Sequence, residues 1–190
     1  EALARIEAAV SDDDLGEGPT LSRFLTARPP TATQGDVFEA TARQTFGTKF
    51  ALSCNSGTGA LHSAMVAAGV GPGAEVIVPA IGFLATAAVV VLARGVPIFC
   101  DVDRSLAMDP AKIEPLITPR TVAIAPTCVM GGVPDMDPIL AVARRHGLKV
   151  IEDCAQSPGA KYRGRHVGTL GDAGCFSISA YKIVGGGEGG

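Results

Sequence analysis

One lysine, Lys182, stands between the apolar run Phe176-Ser177-Ile178-Ser179-Ala180-Tyr181 and the glycine-rich Gly185-Gly186-Gly187-Glu188-Gly189-Gly190. A lysine in a tight, partly desolvated place gives up its proton more readily, and a neutral amine is what Schiff-base formation with an aldehyde needs. Glycines beside such a lysine leave room for a large group. Upstream, Val150-Ile151-Glu152-Asp153 ends an apolar run on two acids, ahead of the small and polar Cys154-Ala155-Gln156. An open α/β sheet delivers a carboxylate in this way to the crevice at the carboxyl ends of its strands. By the two-residue period of a strand Glu152 points to the opposite face from Asp153, so Asp153 is the candidate. A third piece, Ser56-Gly57-Thr58, lies where a strand hands over to a helix, and the unpaired amides of a helix N-terminus favour a phosphate. Taken singly, each piece has an ordinary alternative: an exposed strand-end lysine, a solvated or capping acid, and a Ser/Thr helix cap.

In this order, a phosphate cradle, a strand-end carboxylate and a strand-end lysine are the parts of a pyridoxal-phosphate site, where the carboxylate keeps a ring nitrogen protonated and the ring withdraws electrons. The sequence resembles the DegT/DnrJ/EryC1/StrS sugar aminotransferases from about residue 46 to residue 190. The resemblance rests on the blocks Asn55-Ser56-Gly57-Thr58-Gly59-Ala60-Leu61, Gly71-Pro72-Gly73-Ala74-Glu75-Val76-Ile77-Val78-Pro79, Asp101-Val102-Asp103, Ile117-Thr118-Pro119-Arg120-Thr121, Ile151-Glu152-Asp153-Cys154-Ala155-Gln156, Gly171-Asp172-Ala173-Gly174-Cys175-Phe176-Ser177 and Gly187-Glu188-Gly189-Gly190.

That resemblance implies a three-layer αβα large domain of the fold type I pyridoxal-phosphate transferases, with a mainly parallel sheet. Residues 1–34 are expected to form an N-terminal arm and residues 35–190 the cofactor-binding large domain, incomplete at its end, with the small C-terminal domain beyond Gly190. The family pattern assigns Lys182 to the Schiff base and the proton transfer and Asp153 to the ring nitrogen. It gives Gly57, Thr58 and Ser177 to the phosphate, Phe83 to the pyridine face and Gln156 to the neighbourhood of the phenolic oxygen. The implied reaction moves an amino group from glutamate or glutamine to a keto-sugar, most naturally nucleotide-linked, or to a cyclitol ketone. The implied assembly is a homodimer with a shared active site. Lyases, aldolases, dehydratases and non-catalytic sensor domains share the fold; the dehydratases of the family carry His where this chain has Lys182. Pro158, where His is common, and Ser179-Ala180-Tyr181 before the lysine depart from the family pattern on the substrate side.

The composition agrees with a small-molecule enzyme. Hydrophobic residues make up 47% of the 190, enough for a real core. With no Trp, two Tyr and a net charge of -3, the chain lacks the basic, aromatic footprint of nucleic-acid binding. Cys54, Cys100, Cys128, Cys154 and Cys175 are scattered singly and share no zinc-ligand spacing with His62, His146 or His166, so no metal site is expected and free thiols in a reducing cytoplasm explain them. The longest apolar run, residues 81–93, is short of the ~20 residues of a membrane span. The GxGxxG at residues 185–190 is not read as a dinucleotide site, because no strand-turn-helix unit and no ribose-binding acid follow it.

To position these groups the chain needs alternating strands and helices. Helical spacing of Leu3, Ile6 and Val10 predicts a short helix over residues 2–10, followed by irregular chain to Pro30. Asp36 and Glu39 suggest a capping box for a helix ending near Phe46 at Gly47. Strands are expected at 49–54, 75–78, 97–101, 122–126, 148–153 and 174–179, and helices at 57–68, 83–94, 110–117 and 138–146, with a tight hairpin over 162–166. This alternation predicts parallel crossovers and a sheet covered on both faces.

Overall fold

The computed structural model describes residues 32–190; the helix expected over residues 2–10 and the irregular stretch up to Pro30 lie outside them. Five parallel strands make the central sheet: β1 Glu75–Pro79, β2 Val96–Cys100, β3 Thr121–Ile124, β4 Lys149–Asp153 and β7 Ala173–Cys175, in the order β2-β1-β3-β4-β7. A two-stranded antiparallel hairpin, β5 Lys161–Tyr162 with β6 Arg165–His166, lies apart from it. The helices are α1 Gln34–Phe46, α2 Gly57–Ala67, α3 Leu84–Leu92 and α4 Met136–His146.

Alternation along the strands separates two cores. Val76, Val78, Ala123, Ala125, Ile151 and Cys175 face one side and pack with Leu61 and Met65 of α2 and Val89 and Val90 of α3. The residues between them, Ile77, Ile124 and Val150, face the other side and pack with Met136, Ile139, Val142 and Ala143 of α4. Period-two strands buried on both faces between period-3.6 helices give the three-layer arrangement that the resemblance implies. Truncating a fully buried residue such as Ile77 or Met65 to Ala is expected to cost ~2–5 kcal/mol. Among the described residues no helix is long and apolar enough to cross a membrane.

Several expectations need correction. The capping box of α1 belongs to Thr33 and Asp36, whose side chains reciprocate, while Glu39 reaches across to accept from the Ser53 N–H and hydroxyl. Acid three residues after a hydroxyl is the rule; reading it one turn late missed the threonine. Residues 49–54 form no strand, and Cys54 instead exchanges backbone hydrogen bonds with Gly190 at 2.8 and 3.0 Å. The last strand stops at Cys175, short of Ser179, because the backbone of Ile178 bonds Gly186 and Gly189 of the returning glycine run. The helix expected over 110–117 is two short 3₁₀ turns, Pro110–Lys112 and Glu114–Leu116, since Pro115 cannot donate the bond that would join them.

Candidate active site

The parallel sheet brings the ends of its strands to one edge, and Asp153 closes β4 there on the α2/α3 face, two residues beyond Ile151. It is 2% exposed. One oxygen, Oδ2, accepts from Thr86 Oγ1 of α3 at 2.5 Å, and Oδ1 accepts from the Ala155 N–H at 3.1 Å. Burial pushes its carboxyl above the ordinary value, while the Thr86 and Ala155 hydrogen bonds and the Lys182 ammonium pull the other way. The geometry therefore places a carboxylate where it is desolvated and held by two hydrogen bonds.

Glu152 occupies the other face, as the strand period requires. It is 1% exposed and accepts from the N–H groups of Gly168, Leu170 and Gly171 at 2.7–2.8 Å. Three amides around one carboxylate pin the loop before β7 to β4, so this acid holds the fold rather than the site.

Lys182 lies in a turn, not at a strand end: its N–H donates to Ser179 O at 2.9 Å, seven residues past β7. The turn is made by Ile178 and Ala180 bonding back to the glycine run, with Gly187 and Gly189 at φ of 98° and 152°, backbone that side chains resist. Its Nζ is 5.6 Å from the centre of the Phe83 ring, a cation–π approach. Phe83 caps the N-terminus of α3 and is 57% exposed, so its ring borders open space.

The phosphate candidates meet at the N-terminus of α2. Ser56 caps that helix through the Gly59 N–H at 3.0 Å, and the hydroxyl of Thr58 is in the exposed first turn. Gly57 is buried against the segment after β7: a Cβ there would stand 2.7 Å from Ser177 Cβ and 3.1 Å from Phe176 O. Only glycine lets the helix end approach Ser177 this closely. Ser177 is itself 7% exposed.

Gln156 has a backbone partner. Its Oε1 accepts the N–H of Met130 at 2.8 Å, and Met130 sits at φ 50° with its side chain almost wholly exposed. The structure thus joins Gly57 to Ser177 and Lys182 to Phe83, and ties Gln156 to the loop that carries Met130. It also adds Thr86 and, behind it, Thr127, whose hydroxyl is 3.3 Å from that of Thr86. The available signal was weak: a threonine among the apolar residues of α3, and one just past β3.

A family model described as the DegT/DnrJ/EryC1/StrS aminotransferase family matches residues 30–190. The chain belongs to this family. It is 51% identical over 154 residues to the GDP-perosamine synthase of Caulobacter vibrioides, covering 80% of this chain and 42% of that protein. Over 145 residues it is 45% identical to the L-glutamine:2-deoxy-scyllo-inosose aminotransferase of Streptoalloteichus tenebrarius, covering 76% and 34%. Among solved structures, NtdA from Bacillus subtilis with bound cofactor PMP superposes with a TM-score of 0.77 at 33% identity, over 89% of this chain and 38% of that one. The chain thus spans less than half the length of these family members.

Proposed function

We propose that the whole protein is a pyridoxal-phosphate aminotransferase that transfers an amino group from glutamate or glutamine to the ketone of a nucleotide-linked sugar or of a cyclitol, in amino-sugar biosynthesis. The observation that carries this reading is the buried Asp153 carboxylate at the carboxyl end of β4, held by Thr86 of α3, the helix whose N-cap Phe83 has Lys182 Nζ 5.6 Å from its ring. The relatives named for perosamine and for scyllo-inosose support the two acceptor classes.

The residues present fit the cofactor. The Gly57–Ser177 approach is a cradle that a single Cβ would fill, and it lies at a helix N-terminus whose amides suit a phosphate. Gly57, Thr58 and Ser177 would hold that group, Phe83 would cover the ring, and Gln156 would approach its phenolic side through the amide nitrogen, its oxygen being taken by Met130. When bound, the cofactor supplies an electron sink for the carbon that gains or loses the amino group. Asp153, held by Thr86 and Ala155, would keep the proton on the ring nitrogen. Lys182 would anchor the cofactor through Nζ and, when not so engaged, its amine would serve as the general base and acid for the proton transfer. Phe83 would restrict water on one side of the cofactor.

On the same reading the protein is a cytoplasmic homodimer with an active site shared between subunits, acting on small molecules and on neither nucleic acid nor membranes. The net charge of -3 and five free cysteines support the compartment and the exclusion of polyanions. The exposed Phe83 and Leu84 beside the site support a further surface closing over it.

A two-stage spectroscopic experiment tests the reading. Glutamate or glutamine should abolish the near-visible band of the whole protein, and a keto-sugar or a keto-cyclitol should restore it with aminated product. A band that no amino donor alters would refute the transfer.

A further inference from the structure

Asp153 is backed by two buried hydroxyls. Thr86 and Thr127 are 3% and 2% exposed, with Thr86 Oγ1 2.5 Å from Asp153 Oδ2 and 3.3 Å from Thr127 Oγ1. An ionised carboxylate can only accept, so Thr86 must donate to it, and the proton in the Thr86–Thr127 contact must then come from Thr127. The direction of the chain Thr127 to Thr86 to Asp153 is fixed by the charge at its end.

The backbone holds both threonines to the acid. Thr127 forms a parallel bridge with Asp153, the Asp153 N–H donates to Pro126 O at 2.9 Å, and the Cys128 N–H donates to Asp153 O at 2.9 Å. Thr86 is carried by α3, whose first turn also carries the Phe83 N-cap. A helical threonine commonly turns its hydroxyl to a carbonyl one turn back, as Thr41 does to Val37 O at 2.8 Å. Thr86 turns away from its helix and towards the sheet.

We propose that Thr86, with Thr127 behind it, is the positioning residue that holds Asp153 charged and in one orientation for the ring nitrogen. The proposal rests on the role given to Asp153 above. With Oδ2 held by Thr86 and Oδ1 by the Ala155 N–H, the carboxylate cannot rotate freely, and each oxygen keeps lone-pair capacity for a proton donor in the crevice. Loss of the Thr86 hydroxyl leaves burial opposed by fewer partners. Among the described residues the titratable groups that act on Asp153 or are raised by it are few. Lys182 is the cation. The thiols are Cys154, pushed up by Cys128 and burial, and Cys175, pushed up to about 12 chiefly by burial; both stay neutral at neutral pH.

The test reads the carboxyl group itself. In the whole protein freed of cofactor and labelled with carboxyl-¹³C aspartate, the Asp153 resonance is the one missing from Asp153→Asn. Thr86→Val, which keeps shape and removes the hydroxyl, should move its titration midpoint upward by about one to two pH units, the equivalent of one hydrogen bond to a charged group. Thr127→Val should move it less, and Thr86→Ser should return it to the original value. Circular dichroism of each variant verifies the fold, and Thr86→Ala carries the same expectation as Thr86→Val if the valine does not pack. An unmoved midpoint in folded Thr86→Val or Thr86→Ala, or a midpoint that serine does not restore, overturns the proposal. The outcome is separable from the catalytic reading: a shifted midpoint combined with full activity of Asp153→Asn would keep the Thr86–Asp153 coupling and remove the role of Asp153 in the reaction.

Discussion

Replacing Gly57 by Ala isolates the contact on which the proposed phosphate seat depends. The added Cβ would lie 2.7 Å from Ser177 Cβ, 3.1 Å from Phe176 O and 3.2 Å from Ser177 Cα. Non-bonded carbons are comfortable at ~3.5–4.0 Å, so the start of α2 and the Ser177 segment must separate by about 1 Å. Such overpacking costs roughly 1–3 kcal/mol, offset by up to about 1 kcal/mol from the better helix propensity of alanine. Stability should therefore fall by about 0–3 kcal/mol. Cofactor affinity should suffer more: losing one charge-assisted hydrogen bond from the seat removes about 1.5–3 kcal/mol, or roughly 10- to 150-fold in Kd. Gly71→Ala serves as the control, because Gly71 has nothing within 4 Å of the added atom and no left-handed backbone. Urea denaturation of the cofactor-free whole protein and absorbance titration with pyridoxal phosphate measure the two effects. Unchanged affinity and unchanged stability in Gly57→Ala would refute the reasoning.

Glu152→Gln should lower stability by at least about 1.5–3 kcal/mol, because the amide can no longer accept all three N–H groups of Gly168, Leu170 and Gly171 as a carboxylate does; an unchanged urea midpoint would count against the clamp. Asp153→Asn should slow both half-reactions by orders of magnitude, at ~1.4 kcal/mol per tenfold, while leaving the cofactor bound, and near-normal single-turnover rates would remove Asp153 from the chemistry. The same variant has a pH signature without cofactor. Since burial raises the folded carboxyl above its unfolded value, the wild type gains stability as pH falls through the folded pKa towards about 3.9, and the cost of the buried charge is fully present above it. Asp153→Asn should lack that component and be no less stable than wild type at neutral pH, read from urea midpoints across the acid range.

Most of the sheet was legible because its strands are short β-branched runs bounded by Gly and Pro, and because helices α2, α3 and α4 carry apolar residues at helical spacing between them. The opposite orientations of Glu152 and Asp153 followed from the strand period alone, and the structure gives them the separate surroundings that this period implies. Where reasoning from local pattern went wrong, a distant partner decided. Residues 49–54 look like a strand, but the pairing that Cys54 finds is with Gly190, 136 positions away by subtraction of the residue numbers. Ile178 looks like a strand interior, but the glycine run folds back and takes its hydrogen bonds, which converts the site of Lys182 from a strand end into a turn. Thr86 and Thr127 were missed for the same reason, since a lone threonine in an apolar segment shows no sign of the carboxylate it serves until the fold brings them together. Gly57 was picked out for its place in a motif, and its close approach to Ser177 was not visible from the chain.

The most direct test of the central claim is chemical mapping of the lysine. Borohydride treatment of the whole protein with its cofactor, followed by digestion and mass spectrometry, should place the reduced cofactor on the peptide containing Tyr181-Lys182-Ile183. Lys182→Ala should still bind pyridoxal phosphate through Gly57, Thr58, Ser177 and Asp153, yet show no covalent product and no turnover. The competing lysines are poorly suited: Lys149 is paired with Asp172 at 2.9 Å, Lys161 is exposed in the β5–β6 hairpin, and Lys112 ends a 3₁₀ turn. Recovery of the reduced cofactor on Lys149, Lys161 or Lys112, with Lys182 unmodified, would contradict the account.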